Sequence, residues 1–316
     1  MSKISIILPT YNVEPYIEKA LQSSINQTFK DIEIIVVDDC GNDKSIDIAK
    51  EYAKKDRRIK IVHNEKNLGL LRARYEGVKA SNSSYIMFLD PDDYLELNAC
   101  EECVKILDSN NDVDLICFNY NNIKPTYIEK FDFFTDAKFN QEEFVFFLIS
   151  RLTEYNWNIW SKIYKKEIYL KIFEENEKLK FLRINMAEDA LFFVICLNYI
   201  NNIQTISQKI YNYNTCNLNS STKTIDIQKN ISYAKDLDNC MNFMSIFINQ
   251  IDNKFLFYYC LSIFYWLKMH YFDLVYKYLE KRFLHKFKLR IERKMVKIKK
   301  KKVCRILKEK NVSSSL

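Results

Sequence analysis

Glycine is scarce in this chain, with 3 residues in 316, where average usage of ~7% would give roughly 22. The three are Gly41, Gly69 and Gly77. Their spacing excludes the G-x-G-x-x-G dinucleotide fingerprint, and no G-x-x-x-x-G-K-[ST] phosphate loop is present. Nothing after Pro125 is either Gly or Pro, so the carboxy-terminal part lacks both helix breakers and long helices are expected there. Long apolar runs are missing too. Phe255–Leu267 is followed at once by Lys268, His270 and Asp273, and falls short of the ~20 residues a spanning helix needs. The run Ile4–Leu8 behind Met1 is too short for a secretory signal. Cys100 and Cys103 form a lone C-x-x-C with no second pair, which argues against a zinc ribbon. The nine cysteines are expected to be buried, reduced thiols.

The 48% hydrophobic and 28% charged residues are those of a globular chain, not a disordered one. Charge is unevenly spread. Residues 281–310 hold fifteen Lys or Arg against Glu292 and Glu309, a local +13 within a net +7. The rest of the chain is therefore mildly acidic.

Over the first ninety residues, short β-branched runs alternate with amphipathic stretches. Strands are expected at Ile4–Leu8, Glu33–Val37, Ile59–His63 and Tyr85–Leu89, and helices at Glu14–Gln27, Lys44–Lys55 and Leu70–Ser81. Such repetition predicts an α/β fold with a mostly parallel central sheet. Val113–Asn119 reads as a fifth strand and 204–213 as another. Residues 124–139 are irregular and aromatic. Helices are expected at 142–151, 161–173 and 186–199, and throughout the carboxy-terminal region. The Asn/Ser/Thr-rich stretch 214–224 marks the boundary.

Parallel strands bring the loops at their carboxyl ends to one edge, where ligands of open α/β sheets bind. Here that means Thr10-Tyr11-Asn12, Asp38-Asp39, His63-Asn64 and Asp90-Pro91-Asp92-Asp93. One strand-end Asp is ordinarily a cap or turn residue. Five on one edge repel each other and call for a cation or hydrogen-bond donors. The D-x-D pair Asp90/Asp92 suits Mn²⁺ or Mg²⁺ shared with substrate phosphates. His63 is read as packing or capping a strand end.

Ile6–Asn12, Gln27-Thr28-Phe29, Ile35–Asp39, Asn67-Leu68-Gly69, Ala73-Arg74 and Phe88–Asp93, in this order, resemble inverting GT-A glycosyltransferases of family 2. The likeness runs over about residues 3–215. It implies a GT-A domain at 1–215, with a nucleotide-sugar half (1–120) and an acceptor half (121–215). A helical region, 216–316, follows. The resemblance implies that Thr10 and Tyr11 line a uridine pocket and that Asp39 accepts a hydrogen bond from uracil. It further implies that Asp90 reaches the ribose or the metal, that Asp92 ligates the metal, and that Arg74 lies near the diphosphate. Tyr75 replaces the family's Asn, and Arg72 is a second candidate cation. Glu188-Asp189 is similar to the family's Glu-Asp motif, with Asp189 as general base. Glu188 and Trp160 are acceptor-side candidates, although Trp157 and Trp160 equally fit a core stripe and Glu188-Asp189, without the upstream motifs, reads as a helix start. The stretch 77–97 resembles β-1,3-galactosyltransferases of Campylobacter lipooligosaccharide, implying UDP-galactose as donor and a GalNAc-ended acceptor.

In the basic segment Phe283, Leu284, Phe287, Leu289, Ile291, Met295, Val296 and Ile298 alternate with cations. This pattern is expected to form an amphipathic helix on an anionic membrane, the alternative being a solvated tail. The chain is thus expected to be cytoplasmic, peripheral at the inner face of a bacterial inner membrane. Its acidic body and the lack of a nucleic-acid module argue against nucleic acid as partner. Without a Q-x-x-R-W sequence or a transmembrane bundle, a processive synthase is disfavoured. The alternatives are transfer from another UDP-sugar to a different glycan, and a UDP-sugar-binding subunit without turnover.

Overall fold

A computed structural model of the chain describes residues 2–110, 112–152, 154–217, 226–279 and 283–314. They form two compact units. The first comprises Met1–Phe139, Asn158–Arg183 and Ile200–Leu218, and the second Asn140–Trp157, Ile184–Tyr199 and Asn219–Leu316. The two units interleave along the chain.

The first unit is built on a mixed, mostly parallel sheet. Its strands are β1 (Ile4–Thr10), β2 (Ile32–Asp38), β3 (Ile59–His63), β4 (Tyr85–Phe88), β5 (Tyr94–Leu95), β6 (Leu115–Ile123), β7 (Ile128–Phe131), β8 (Ala137–Phe139), β9 (Lys162–Lys165) and β10 (Ile203–Asn214). The order across the sheet is β3-β2-β1-β4-β9-β6-β10-β5. β1 is parallel to both β2 and β4, and every one of its residues is buried, as a central strand covered on two faces requires. The covering helices are α1 (Ile17–Ile25), α2 (Ser45–Lys55), α3 (Leu70–Ala80), α4 (Ala99–Ser109) and, later in the chain, α6 (Lys166–Glu175).

Gly77 lets α3 lie close on the sheet. A Cβ there would come within 2.4 Å of Ile7 Cγ2 and 2.9 Å of Val37 Cγ2, distances no side chain could hold. Helix α4 buries Cys100 and Cys103 completely. Burial pushes the Cys100 thiol up to about 12 and Cys103 well above its usual range, so both are inert as nucleophiles or metal ligands.

One expected helix splits. Residues 162–165 are a strand, β9, antiparallel to β4 on one side and to β6 on the other, and helix α6 begins only at Lys166. Four residues cannot show whether their apolar period is 2 or 3.6. Vacant edges on β4 and β6 decide the matter. In the irregular stretch, β7 pairs with β6 and β8 with β10, both antiparallel.

The second unit is helical: α5 (Gln141–Ser150), α7 (Glu188–Cys196), α8 (Ile227–Ile248), α9 (Lys254–Leu274) and α10 (Phe283–Ser314). Asn140 and Glu143 form a reciprocal capping box on α5, and Asp226 and Asn253 cap α8 and α9. Nearly every residue of α7 is buried, which makes it the core helix. The aromatic run of α9 packs within this unit. Trp266 meets Trp157 at 4.9 Å, and Phe255 meets Phe146 at 4.5 Å between ring centroids. Among the described residues no helix is long and apolar enough to cross a membrane. Of the expected boundary stretch, residues 218–224 lie outside the described residues. So do Lys281, Arg282 and the side chains of Phe283, Leu284, Phe287 and Lys310.

Candidate active site

Because β2, β1 and β4 run parallel, their carboxyl ends share an edge. Thr10 pairs with Asp38, and Asp38 with His63, in adjacent strands. The loops beyond are tied together. Asn12, with φ of 53°, accepts the Asn42 N–H at 2.8 Å, and the Asp39 N–H donates to the Thr10 carbonyl at 3.0 Å. The Thr10 hydroxyl donates to the Leu8 carbonyl at 3.0 Å, while Tyr11 is exposed.

Asp39 is buried, and its carboxylate accepts three hydrogen bonds. Leu68 N–H and Asn64 Nδ2 reach Oδ1, both at 2.8 Å, and Gly69 N–H reaches Oδ2 at 3.0 Å. It therefore braces the start of α3, where Gly69 takes a φ of 82° that suits glycine. Burial raises the Asp39 carboxyl above its ordinary value; the hydrogen bonds and the nearby Arg183 charge act in the opposite direction. Arg183 itself grips Asn67 Oδ1 at 2.7 Å.

Past β4 the acidic turn divides its labour. Arg74, 2% exposed, donates to Asp90 Oδ1 at 2.8 Å. Asp92 accepts from Asn217 Nδ2 at 2.8 Å. Burial and the neighbouring Asp90 charge both raise the Asp92 carboxyl, and the Asn217 bond opposes them. Asp93 points into the fold. It is 1% exposed and accepts the Tyr211 hydroxyl and the Asn214 N–H, both at 2.7 Å. Burial lifts its carboxyl well above the ordinary range.

The five acids expected to share one crevice are thus not equivalent. Asp93 anchors β10. Asp38 is held by His63 Nδ1 at 2.7 Å and by the Cys40 N–H at 3.0 Å, which gives His63 a concrete packing partner. Asp90 and Asp92 remain, and the Asp90 charge helps to raise the Asp92 carboxyl. Among the described residues no group of three His, Cys, Asp or Glu side chains could hold a metal. A cation here would take these two carboxylates and draw its other ligands from phosphate and water, the usual arrangement for Mg²⁺. Two hard oxygen donors whose charges repel fit that role.

Tyr75 stacks on Phe173 with centroids 4.2 Å apart, so the aromatic at this position packs α3 on α6. Trp160 is half-buried, stacked on Tyr211 at 4.5 Å and Tyr213 at 5.3 Å, with Tyr120 edge-on at 4.6 Å. Lys162 is wholly buried and donates to the Asn158 carbonyl at 2.6 Å.

Glu188 and Asp189 belong to the second unit and open α7. Ala187 precedes them in the left-handed region, with φ of 62°, an uncommon conformation for a residue with a Cβ. Glu188 is buried and Asp189 half-buried, its Oδ1 accepting the Ala190 N–H at 2.7 Å. Helix α8 holds this turn from the side. Asp236, itself buried, accepts the Asn185 N–H at 2.9 Å, and the Cys240 thiol contacts the Met186 carbonyl at 3.5 Å. Asn217, Arg183, Tyr211 and Asp236 were absent from the sequence-based set. No motif marks them; only the tertiary pairing brings them to the carboxylates and the turn.

A sequence profile of Glycosyl transferase family 2 matches residues 5–189, more than half of the chain. The glycosyltransferase EpsJ of Bacillus subtilis is 31% identical over 230 residues, covering 70% of this chain and 63% of EpsJ. Glycosyltransferase GlyA of Streptococcus pneumoniae is 34% identical over 203 residues, 60% of this chain and 27% of GlyA. The chain thus spans less than two thirds of either relative. Among solved structures, S. aureus TarS 1–349 in complex with UDP-GlcNAc superposes with a TM-score of 0.58 at 20% identity, over 99% of this chain and 92% of that one. The mannosyltransferase PcManGT of Pyrobaculum calidifontis, in complex with GDP-Man and Mn²⁺, gives 0.52 at 14% identity, over 98% and 87%. These likenesses establish a GT-A-like fold.

Proposed function

The chain belongs to glycosyl transferase family 2, and from that premise we propose that it transfers one sugar from a UDP-sugar to a hydroxyl of a bacterial surface glycan, with inversion at the anomeric carbon. The observation that carries the reading is the Asp90/Asp92 pair at the end of β4, with Arg74 buried against Asp90. Thr10, Tyr11 and Asp39 are assigned to the uridine. Asp90 and Asp92 would hold Mn²⁺ or Mg²⁺, and such a cation would offset charge growing on the leaving UDP.

Asp189 is the proposed general base. A free aspartate has a pKa of ~3.9 and cannot deprotonate a sugar hydroxyl in advance. It takes the proton as the acceptor oxygen bonds to the anomeric carbon. The bond from that carbon to the phosphate oxygen breaks in the same displacement, and its electron pair leaves with UDP. Base assistance of this kind contributes about 10²–10⁴-fold. Glu188 and Trp160 are assigned to the acceptor side.

The likeness of residues 77–97 favours UDP-galactose, with β-1,3 transfer to a GalNAc-ended lipooligosaccharide. The TarS complex favours UDP-GlcNAc as the next donor to test. The basic carboxy-terminal helix supports a peripheral place at the cytoplasmic face of an inner membrane, where lipid-linked acceptors are met.

The test is UDP release from UDP-Gal, UDP-GalNAc, UDP-Glc and UDP-GlcNAc, each with Mn²⁺ or EDTA and with or without a β-GalNAc-ended oligosaccharide. Acceptor-stimulated, EDTA-sensitive release from UDP-Gal supports the full reading, and the same from another donor moves only the sugar. UDP binding without release from any donor, across a panel of acceptors, supports a binding subunit instead. Asp189→Asn is expected to keep UDP binding and lose turnover by about 10²–10⁴-fold; near wild-type turnover would refute the base assignment.

A further inference from the structure

Helix α10 carries two unlike faces. Val296, Val303 and Leu307 are buried. Arg293 on the same side pairs with Asp273 of α9 at 2.8 Å, and Lys300 Nζ sits 5.0 Å from the centroid of the Tyr155 ring. On the opposite side Ile291, Met295 and Ile298 are 47%, 54% and 58% exposed. Their spacing of four and three residues sets them in a single stripe. Lys288, Lys294, Lys299, Lys301, Lys302 and Arg305, all exposed, fall within about 90° of that stripe at 3.6 residues per turn.

We infer that this outward face docks on an anionic lipid bilayer, with Ile291, Met295 and Ile298 entering the headgroup–acyl boundary and the flanking cations meeting lipid phosphates. The inference rests on the peripheral placement proposed above and names the side chains that make it. Of the eight apolar residues that alternate with cations in the sequence, Val296 is removed from the lipid face, because its side chain is spent on packing. A nucleic acid would use the cations but gives no reason to expose three large apolar side chains among them. A second copy of this helix would bring two cationic faces together, which repel. A bilayer satisfies both halves of the pattern. Apolar area enters the boundary, and each cation near an anionic surface strengthens binding roughly fivefold.

The experiment is co-sedimentation of the full-length protein with vesicles of phosphatidylcholine alone or with 30% phosphatidylglycerol as the anionic lipid. Wild type is expected to prefer the anionic vesicles by at least about tenfold. The triple variant Ile291→Ser, Met295→Ser, Ile298→Ser keeps every cation and is expected to lose about tenfold or more. Ile246→Ser, at an equally exposed position on α8, is expected to change nothing. In a separate variant, Ile298→Trp, the emission of the introduced indole should shift to the blue on anionic vesicles. The proposal is overturned if wild type shows no preference for the anionic vesicles. It also fails if the triple variant binds like wild type, or if the emission in Ile298→Trp stays that of a water-exposed indole. All these positions are exposed, so a melting curve matching wild type confirms that the variants fold. UDP release in solution needs no vesicles, so the docking face and the transferase reading can fail independently.

Discussion

Five carboxylates stand at the ends of β2 and β4, and each accepts a hydrogen bond from the chain itself. Along α10 Lys294, Lys297, Lys299, Lys301, Lys302 and Lys308 are exposed, while Lys288 and Arg305 pair with Glu292 and Glu309 on their own helix and Arg290 and Arg293 reach Tyr276 and Asp273. The first group is held at fixed positions by buried donors such as Arg74 and Asn217, so it suits a small ligand of defined shape. The second is spread along several turns on flexible stems and suits an extended surface with no fixed geometry. Like charges held by buried donors point to a site; like charges aligned along an exposed face point to a docking surface.

The largest effect that could break this comparison is at Asp92. Asp92→Ala is expected to lower metal-dependent turnover by about 10³-fold or more, with stability close to wild type in a urea titration. If turnover and EDTA sensitivity survive, the braced pair is not the cation site. Asp93→Ala should behave in the reverse manner. It leaves the buried Tyr211 hydroxyl and Asn214 N–H unsatisfied, at a cost of roughly 2–4 kcal/mol, measured as a lower urea midpoint. Equal stability of the two variants would mean that the adjacent acids do not divide their roles.

A smaller effect sharpens the contrast in the second unit. Asp236→Ala removes the acceptor that fixes the Asn185 N–H, and kcat is expected to fall about tenfold with the donor KM unchanged. Asp236→Asn keeps an acceptor oxygen and should restore most of the loss. A donor KM that rises with unchanged kcat would show that the turn does not serve the base.

The smallest effect is a pH slope. Burial raises the folded carboxyl of Asp93 above its unfolded value, so the folded chain binds the proton more readily. Its contribution to stability is therefore greatest below the unfolded pKa, ~3.9, and is lost as pH rises through the folded pKa. Measured against Asp93→Asn, wild-type stability should improve as pH is lowered from 7 towards 5. A flat difference would mean that the carboxyl is not perturbed by burial.

The parallel core was legible in sequence because short runs rich in β-branched or aromatic residues recur at 4–8, 33–37, 59–63 and 85–89, and each gives way to polar residues. Parallel topology then puts Thr10, Asp39 and Asp90 at strand ends without any knowledge of contacts. The features that stayed hidden depend on partners far along the chain. Lys162–Lys165 becomes a strand only because β4 and β6 offer it two edges. Asn217 reaches Asp92 from 125 positions away, and Tyr211 reaches Asp93 from 118. The apolar residues of α10 could be identified from their spacing, but which of them face α9 could not, since two opposite stripes of one helix share the same period.

The position of β9 also bears on how the chain is made. It joins two parts of the sheet by entering between β4 and β6, yet it is synthesised after both. A nascent chain that has not reached residue 162 carries two unfinished sheets, each with a bare edge able to pair with a neighbour. Translation pauses or truncations before that point are therefore where aggregation should concentrate, and release of residues 162–165 from the ribosome marks the moment at which β4 and β6 can first be joined, with β10 still to pair on β6.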